Sequence, residues 1–367
     1  QAWPAPVITS VTGPGTSGGI TNGGEQITIT GRNFVGRRGG DDASSSATEV
    51  LTPTTADILV RYGGPTGDPD ATPVYYMDNC VLALPCALND ECSITCLTSE
   101  GVGAELNVEI LIYKDAASAT SSNNGASAEY ATGSRITYAA PLISEYEGPG
   151  ADRVANTVGG EDLIIKGANF GPPCPAPCPW INRAELHELL EDANTNRRRL
   201  KGEEASASSA SSASSASSAA RRLNTPTPKI YVMDHTKCAV FSHTRMKCIM
   251  PEGAGAAFKV VLTIGSLSSI ETQMSYGPPT VSHLEDSAGN PVDSIGTRGS
   301  DIVVLVGTNF PNDQHELDAV RFGNAQNGYQ TYTVVAGTVD LTDAAAATPG
   351  TCQVVLDDQT PSQIRCL

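Results

Sequence analysis

Between residues 27 and 30 the chain alternates apolar and polar side chains, Ile27 and Ile29 against Thr28 and Thr30. That period is the pattern of a half-buried β-strand. A glycine turn, Gly23-Gly24, leads into it and Gly31-Arg32-Asn33-Phe34 leads out. The unit returns as Gly159-Gly160-Glu161-Asp162-Leu163-Ile164-Ile165-Lys166-Gly167-Ala168-Asn169-Phe170. It returns again, looser, as Gly299-Ser300-Asp301-Ile302-Val303-Val304-Leu305-Val306-Gly307-Thr308-Asn309-Phe310. The closing Gly-x-Asn-Phe therefore recurs at spacings of 136 and then 140 residues. A fixed period sets the architecture of the whole chain. Its glycine suits a bend where a Cβ would clash, its Asn can bond its own turn, and its Phe is an apolar anchor.

Each copy has the same neighbours. First strands are predicted at Pro6–Val11, Pro141–Tyr146 and Pro279–Leu284. Downstream strands are predicted at Ile58–Gly63, Lys229–Val232 and Ala319–Gly323, then at Ile94–Cys96, Met246–Cys248 and Gln363–Cys366. Strands of apolar alternation follow at Leu106–Ile112 and Phe258–Ile264. The first two copies close on Ile136-Thr137-Tyr138 and Met274-Ser275-Tyr276, each just ahead of the next proline.

This order resembles the IPT/TIG family of immunoglobulin-like domains, which open on Pro-x-Ile, carry Gly-Gly-x-x-(strand)-Gly-x-Asn-Phe, continue with Ile-x-Cys-x-x-Pro and close on Tyr. The resemblance covers all three copies. It implies an all-β fold of three tandem β-sandwiches: residues 1–139, residues 140–277 with an insertion at 171–228, and residues 278–367. Such a sandwich needs roughly 100 residues, so the first two repeats carry long insertions. The family occurs in receptor ectodomains, transcription factors and polysaccharide-processing enzymes, and fold does not fix function.

Charge narrows the choice. The formal net charge is −17 over 367 residues, which argues against nucleic acid as a partner because a duplex binder needs a basic face. No apolar run reaches the length of a membrane span, so no direct membrane insertion is expected. The opening Gln1-Ala2-Trp3-Pro4 reads as a mature N-terminus left by signal-peptide removal, or as a boundary chosen by expression. Of ten cysteines, one lies 10 to 16 residues before the Ile-x-Cys position of each repeat. Cys80–Cys96, Cys238–Cys248 and Cys352–Cys366 are therefore paired as equivalent staples, leaving Cys86–Cys92 and Cys174–Cys178 as small loops. Spacing alone does not prove connectivity. Closing a loop of about 15 residues stabilises by about 3 kcal/mol on chain-entropy grounds. The rival reading, zinc at Cys174 and Cys178 with His187, lacks a fourth ligand. Disulfides imply an oxidising, extracellular setting.

The insertions are rich in small and polar residues. With no Asn-x-Ser/Thr sequon in the sequence, glycans are expected as O-linked groups, with candidates at Ser44, Ser45, Ser46, Thr52, Thr54, Thr55, Ser121, Ser122, Thr225 and Thr227; the bland reading is an unmodified loop. In the second repeat, Pro172–Trp180 reads as a stiff extended segment. A short helix is predicted after it, with Asn182 as N-cap, Glu185 completing a capping box and Ile181 stapling to Leu186. Leu186, Leu189, Leu190 and Ala193 fall at i, i+3, i+4 and i+7. That face packs on its own sandwich or on a neighbouring molecule, which makes Leu186, Leu189 and Leu190 candidate assembly contacts. Arg197, Arg198 and Arg199 follow as candidates for docking on an acidic face, or as a protease site or plain solvated charge. A Ser/Ala tract at 205–220 then has too little apolar surface to fold alone.

The third repeat stops after Cys366 without its closing strands. Either the chain is a piece of a longer protein, or another strand finishes the sandwich. An unfinished sheet exposes unpaired backbone and half a core.

No catalytic constellation or cofactor motif is present: no Gly-x-Ser-x-Gly, phosphate loop or His-Glu-x-x-His. Asp68-Pro69-Asp70 begins like a calcium loop, but Pro73 and Asn79 stand where Gly and Glu are required. The expectation is a non-enzymatic, secreted, O-glycosylated structural subunit of an extracellular fibre, sheath or appendage, whose partners are its own copies or other matrix proteins. The alternatives are a ligand-binding ectodomain of a receptor or adhesin, and a carbohydrate-binding accessory region of a larger enzyme.

Overall fold

The computed structural model describes residues 6–34, 58–63, 74–86, 89–112, 127–189, 228–269, 272–296, 301–313, 316–317, 319–324, 328–334, 350–357 and 360–367. Regular structure among them is β-strand, apart from short 3-10 turns such as Pro14–Thr16 and His235–Lys237.

Among the described residues the first module has nine strands: β1 (Val7–Thr12), β2 (Ser17–Gly19), β3 (Gln26–Arg32), β4 (Ile58–Gly63), β5 (Tyr75–Tyr76), β6 (Asp78–Leu82), β7 (Glu91–Leu97), β8 (Leu106–Ile112) and β9 (Ser127–Tyr138). They form two sheets, β1-β3-β7-β6 and β2-β9-β8-β4-β5. The alternation read in the sequence buries one face of each. Ile27, Ile29, Ile94 and Cys96 from the first sheet meet Val60, Tyr62, Val108, Ile110, Ile136 and Tyr138 from the second in one core.

The second module repeats this with β10 (Leu142–Glu147), β11 (Asp162–Ala168), β12 (Ile181–Glu188), β13 (Ile230–Val232), β14 (Ala239–Ser242), β15 (Arg245–Ile249), β16 (Phe258–Ile264), β17 (Leu267–Ser268) and β18 (Gln273–Met274). Its sheets are β10-β11-β15-β14 and β13-β12-β16-β17, with β18 also on β16. The third contains β19 (Thr280–Glu285), β20 (Val303–Thr308), β21 (Val320–Asn324), β22 (Gly328–Val334), β23 (Thr351–Asp357) and β24 (Thr360–Cys366), in one sheet ordered β19-β20-β24-β23-β22-β21.

The recurring motif has one geometry in all three places. A Cβ on Gly31, Gly167 or Gly307 would stand 2.0, 1.8 or 1.9 Å from the carbonyl oxygen of Val7, Leu142 or Thr280. First and second strands can approach this closely only at glycine. Asn33, Asn169 and Asn309 follow at φ 63, 62 and 58, in the left-handed region that Asn tolerates. Phe34, Phe170 and Phe310 are buried. The acid before each strand has a matching task. Glu25 accepts from the Ile20 N–H, Glu161 from Asn156 and Asp301 from Gly296, at 2.7 to 2.8 Å.

Four disulfides are formed. Cys80–Cys96, Cys238–Cys248 and Cys352–Cys366 tie neighbouring strands at equivalent places in the three modules, with Cα atoms 4.1 to 4.2 Å apart. Cys86–Cys92 closes the turn between β6 and β7. The fifth expected bridge is absent, and Cys174 and Cys178 are buried thiols. Cys174 is instead held by backbone pairing. Its N–H donates to Val240 O at 2.8 Å, and Val240 N–H donates back at 2.9 Å.

The predicted helix over 182–193 is also corrected. Ile181–Glu188 is strand β12, paired with β13 on one side and with β16 on the other. Ile181, Ala184 and Leu186 are buried in the module core. Two ladders of backbone hydrogen bonds outweigh a local helical spacing that the apolar positions also allow. The strand comparison changes with it. Leu186 faces Tyr231 and Val260, as Tyr62 faces Tyr75 and Val108. The counterpart of β4 is therefore β12, whereas Ile230–Val232 is the counterpart of β5.

Candidate interaction surfaces

Two places in the molecule bring together residues far apart in sequence: the joints between modules and the outer edge of the third sheet. At the first joint, Thr21 is buried and its Oγ1 shares a 2.9 Å hydrogen bond with His243 Nδ1. The His243 carbonyl in turn accepts from the N–H of Phe170, at 3.0 Å, so the bond reaches the Gly-x-Asn-Phe turn of the second module. Glu100 Oε2 stands 3.7 Å from His243 Nε2. Beside them Val102, from the first module, is 2% exposed and packed in the core of the second. A Cβ on Gly171 would lie 2.5 Å from Val102 Cγ1, and one on Gly265 would lie 2.7 Å from the Gly103 nitrogen. Val102 is itself fixed from behind, since Tyr75 Oη bonds both its carbonyl and its N–H at 3.0 Å.

The second joint uses the same positions one repeat on. Thr157, two residues before Gly159 as Thr21 is before Gly23, donates through Oγ1 to Phe310 O at 2.7 Å. Tyr231, the counterpart of Tyr75, bonds the carbonyl and N–H of Ala254 at 3.0 and 3.2 Å. It also donates to the Glu316 carboxylate of the third module. Burial raises the Glu316 carboxyl above its ordinary range, against the opposing bond from Tyr231. The linkers are pinned alike, with Asn169 Nδ2 donating to Ala140 O at 3.2 Å and Asn309 Nδ2 to Pro278 O at 3.3 Å. Each module thus grips the Gly-x-Asn-Phe end of the next.

The third sheet ends differently. In the first module β4 pairs with β8 from Ile58–Ile112 to Gly63–Asn107, and in the second β12 pairs with β16. Among the described residues β21 pairs with β22 alone. The consequence is visible in one side chain. Phe322 precedes Gly323 as Tyr62 precedes Gly63, yet Phe322 is 49% exposed where Tyr62 is fully buried. Among the described residues a buried cluster of this module joins Phe310, Cys352, Ile364 and Cys366, with Leu305, Leu317 and Val320 half-buried around it.

The residues proposed from sequence fall elsewhere. Leu186 is fully buried, so it is a core residue and not an assembly contact; Leu189 is half-buried. Leu190, Ala193, Arg197, Arg198 and Arg199 lie outside the described residues, as do Ser44, Ser45, Ser46, Thr52, Thr54, Thr55, Ser121, Ser122, Thr225 and Thr227. His187, weighed as a zinc ligand, lies 2.5 Å from Glu185 Oε2. Among the described residues no three His, Cys, Asp or Glu side chains gather closely enough to hold a metal. The joint residues Thr21, Thr157, His243, Val102 and Tyr231 were missed. A threonine two places before each glycine turn was their one sequence signal.

No family model matches the chain, and no curated protein sequence matches it. Among solved structures it is similar to SGBP-B from a complex xyloglucan utilization locus in Bacteroides uniformis, at 12% identity and a TM-score of 0.21, over 83% of this chain and 62% of that one. It is also similar to the D0-D1 domain of Intimin, at 12% identity and a TM-score of 0.16, over 73% of this chain and 98% of that one. The chain spans less than two thirds of the SGBP-B chain, and likenesses of this size carry no argument about its role.

Proposed function

We propose that the chain is a secreted, O-glycosylated structural subunit of an extracellular fibre, sheath or surface appendage, built of IPT/TIG-like modules and assembling through its sandwich ends and insertions. The observation that carries this reading is the pair of joints. Thr21 with His243 and Thr157 with Phe310 bury a polar grip at each junction, and Val102 reaches across the first into the neighbouring core. Buried, hydrogen-bonded junctions resist bending, which load-bearing requires. Relative motion is the default between domains of one chain, and the buried Val102 and the two hydrogen bonds oppose it here. Four disulfides fit an oxidising compartment, and no helix among the described residues is long and apolar enough to cross a membrane.

Electron microscopy of the purified protein over a range of concentrations tests the reading. Ordered filaments or sheets with an axial repeat are expected. Separate particles at every concentration would instead favour a ligand-binding ectodomain.

A further inference from the structure

We infer that the loop Gly101-Val102-Gly103 is a plug that joins the first and second modules into one cooperatively unfolding block, and that Tyr75 is the residue that positions it. The loop belongs to the first module by chain and to both by contact. Gly101 N–H donates to the carbonyl of Thr21 at 3.0 Å, and the Gly103 carbonyl accepts from Tyr138 N–H at 2.9 Å. Between them Val102 is buried in the core of the second module. Its carbonyl and its N–H are both held by Tyr75 Oη, at 3.0 Å each. Tyr75 packs on the first core, with its ring centroid 5.4 Å from that of Tyr62 and 5.8 Å from that of Tyr138. A Cβ on Gly101 would lie 2.7 Å from the Tyr75 ring, so glycine is what lets the phenol lie along the loop.

One phenol therefore connects two cores. The packing of the first fixes the backbone from which the second is filled. Unfolding of the first module withdraws Val102 and leaves a cavity in the second, and unfolding of the second leaves Val102 in water. Each module is thus stabilised by the folded state of the other, which is a coupling free energy in the ordinary sense. The second joint repeats the frame with a smaller plug, Gly253-Ala254-Gly255. Gly253 N–H donates to Thr157 O at 2.9 Å, and Tyr231 bonds both peptide groups of Ala254. Yet Ala254 is half-buried where Val102 is buried, and its side chain is a single methyl. The third module is held instead by the Thr157 hydroxyl and by the bond from Tyr231 to Glu316, and it is expected to unfold by itself. The inference does not depend on the fibre reading, because it concerns contacts within one chain.

Hydrogen exchange of the full chain through a urea series, read by mass spectrometry, follows each module separately. Peptides from β7 and β8 and peptides from β15 and β16 should lose protection at one shared urea concentration, apart from those of β20 and β24. Tyr75→Phe keeps the packed ring and removes both bonds to Val102. Exchange at β16, in the second module, should then quicken about tenfold. A tyrosine that served the first module alone would change β7 and β8 and leave β16 as it was. Val102→Ala gives the first joint the residue found in the second, and should split the shared transition in two. Independent loss of protection by the two modules of the unaltered chain, or a Tyr75→Phe effect confined to the first module, would overturn the proposal.

Discussion

Thr157 Oγ1 donates a 2.7 Å hydrogen bond to the carbonyl of Phe310, across 153 residues of chain and a module boundary. Both residues are 2% exposed. A buried carbonyl that loses its donor costs about 1–3 kcal/mol. Thr157→Val keeps the shape and removes the hydroxyl. Hydrogen exchange over residues 277–310 should accelerate in this variant, while β3 and β7 of the first module keep their protection. Unchanged exchange over 277–310 would mean the bond does not hold the joint.

The same joint should respond to pH through Glu316. Burial holds its carboxyl above the ordinary range, so its proton is retained more readily in the folded protein than in the unfolded one. The stability tied to that proton is fully present below the ordinary carboxylate range. It is lost as pH rises through the raised value. As pH rises from about 4, the ordinary carboxylate value, through the raised one, the native protein should lose thermal stability relative to Glu316→Gln, which carries no titrating group there. Lys229, which lowers the carboxyl, and Asp313 and Glu252, which raise it, are present in both proteins, so the difference isolates Glu316. Parallel pH profiles would contradict the assignment.

Cys174 and Cys178 should resist alkylation in the native state. Burial, with a bond from Cys174, pushes the Cys178 thiol up, and the thiolate is the reactive form. Iodoacetamide at about pH 8, near the ordinary thiol range, is expected to leave the folded protein unmodified and to add two groups per chain in denaturant without reductant. No addition in denaturant would show that the two sulfurs are bridged.

The motif glycines can be ranked. A Cβ on Gly31 would sit 2.0 Å from Val7 O, whereas one on Gly24 meets nothing within 4 Å. Gly24→Ala should cost about 1–2 kcal/mol for its left-handed backbone. Gly31→Ala must also move a strand and should cost about 3 kcal/mol or more. Chemical denaturation of the two variants compares them directly, and equal losses would show that close approach is not what fixes Gly31.

What the sequence made legible is what it repeats. The strands around Gly31, Gly167 and Gly307 follow from alternation and turn chemistry. The disulfide pairs at Cys96, Cys248 and Cys366 follow from a cysteine at a similar distance upstream in each copy. Strand β12 was illegible because Leu186, Leu189, Leu190 and Ala193 fall at a helical spacing, and its partners β13 and β16 lie beyond a long insertion. The joints were illegible for another reason. Thr21 meets His243 across 222 residues, and no local period marks a contact made by single residues. The third module was half legible: Arg321-Phe322-Gly323 matches Arg61-Tyr62-Gly63 in type, but the exposure of Phe322 where Tyr62 is buried needed the structure.

The central claim is that the joints hold successive modules in one fixed arrangement. Spin labels at Val7→Cys and Val281→Cys, exposed positions on the first strands of modules one and three, test it by pulsed electron–electron distance measurement. The buried thiols at Cys174 and Cys178 should not take up label under native conditions. The account predicts one narrow distance distribution, broadened by Thr157→Val. A broad distribution in the unaltered protein would contradict it.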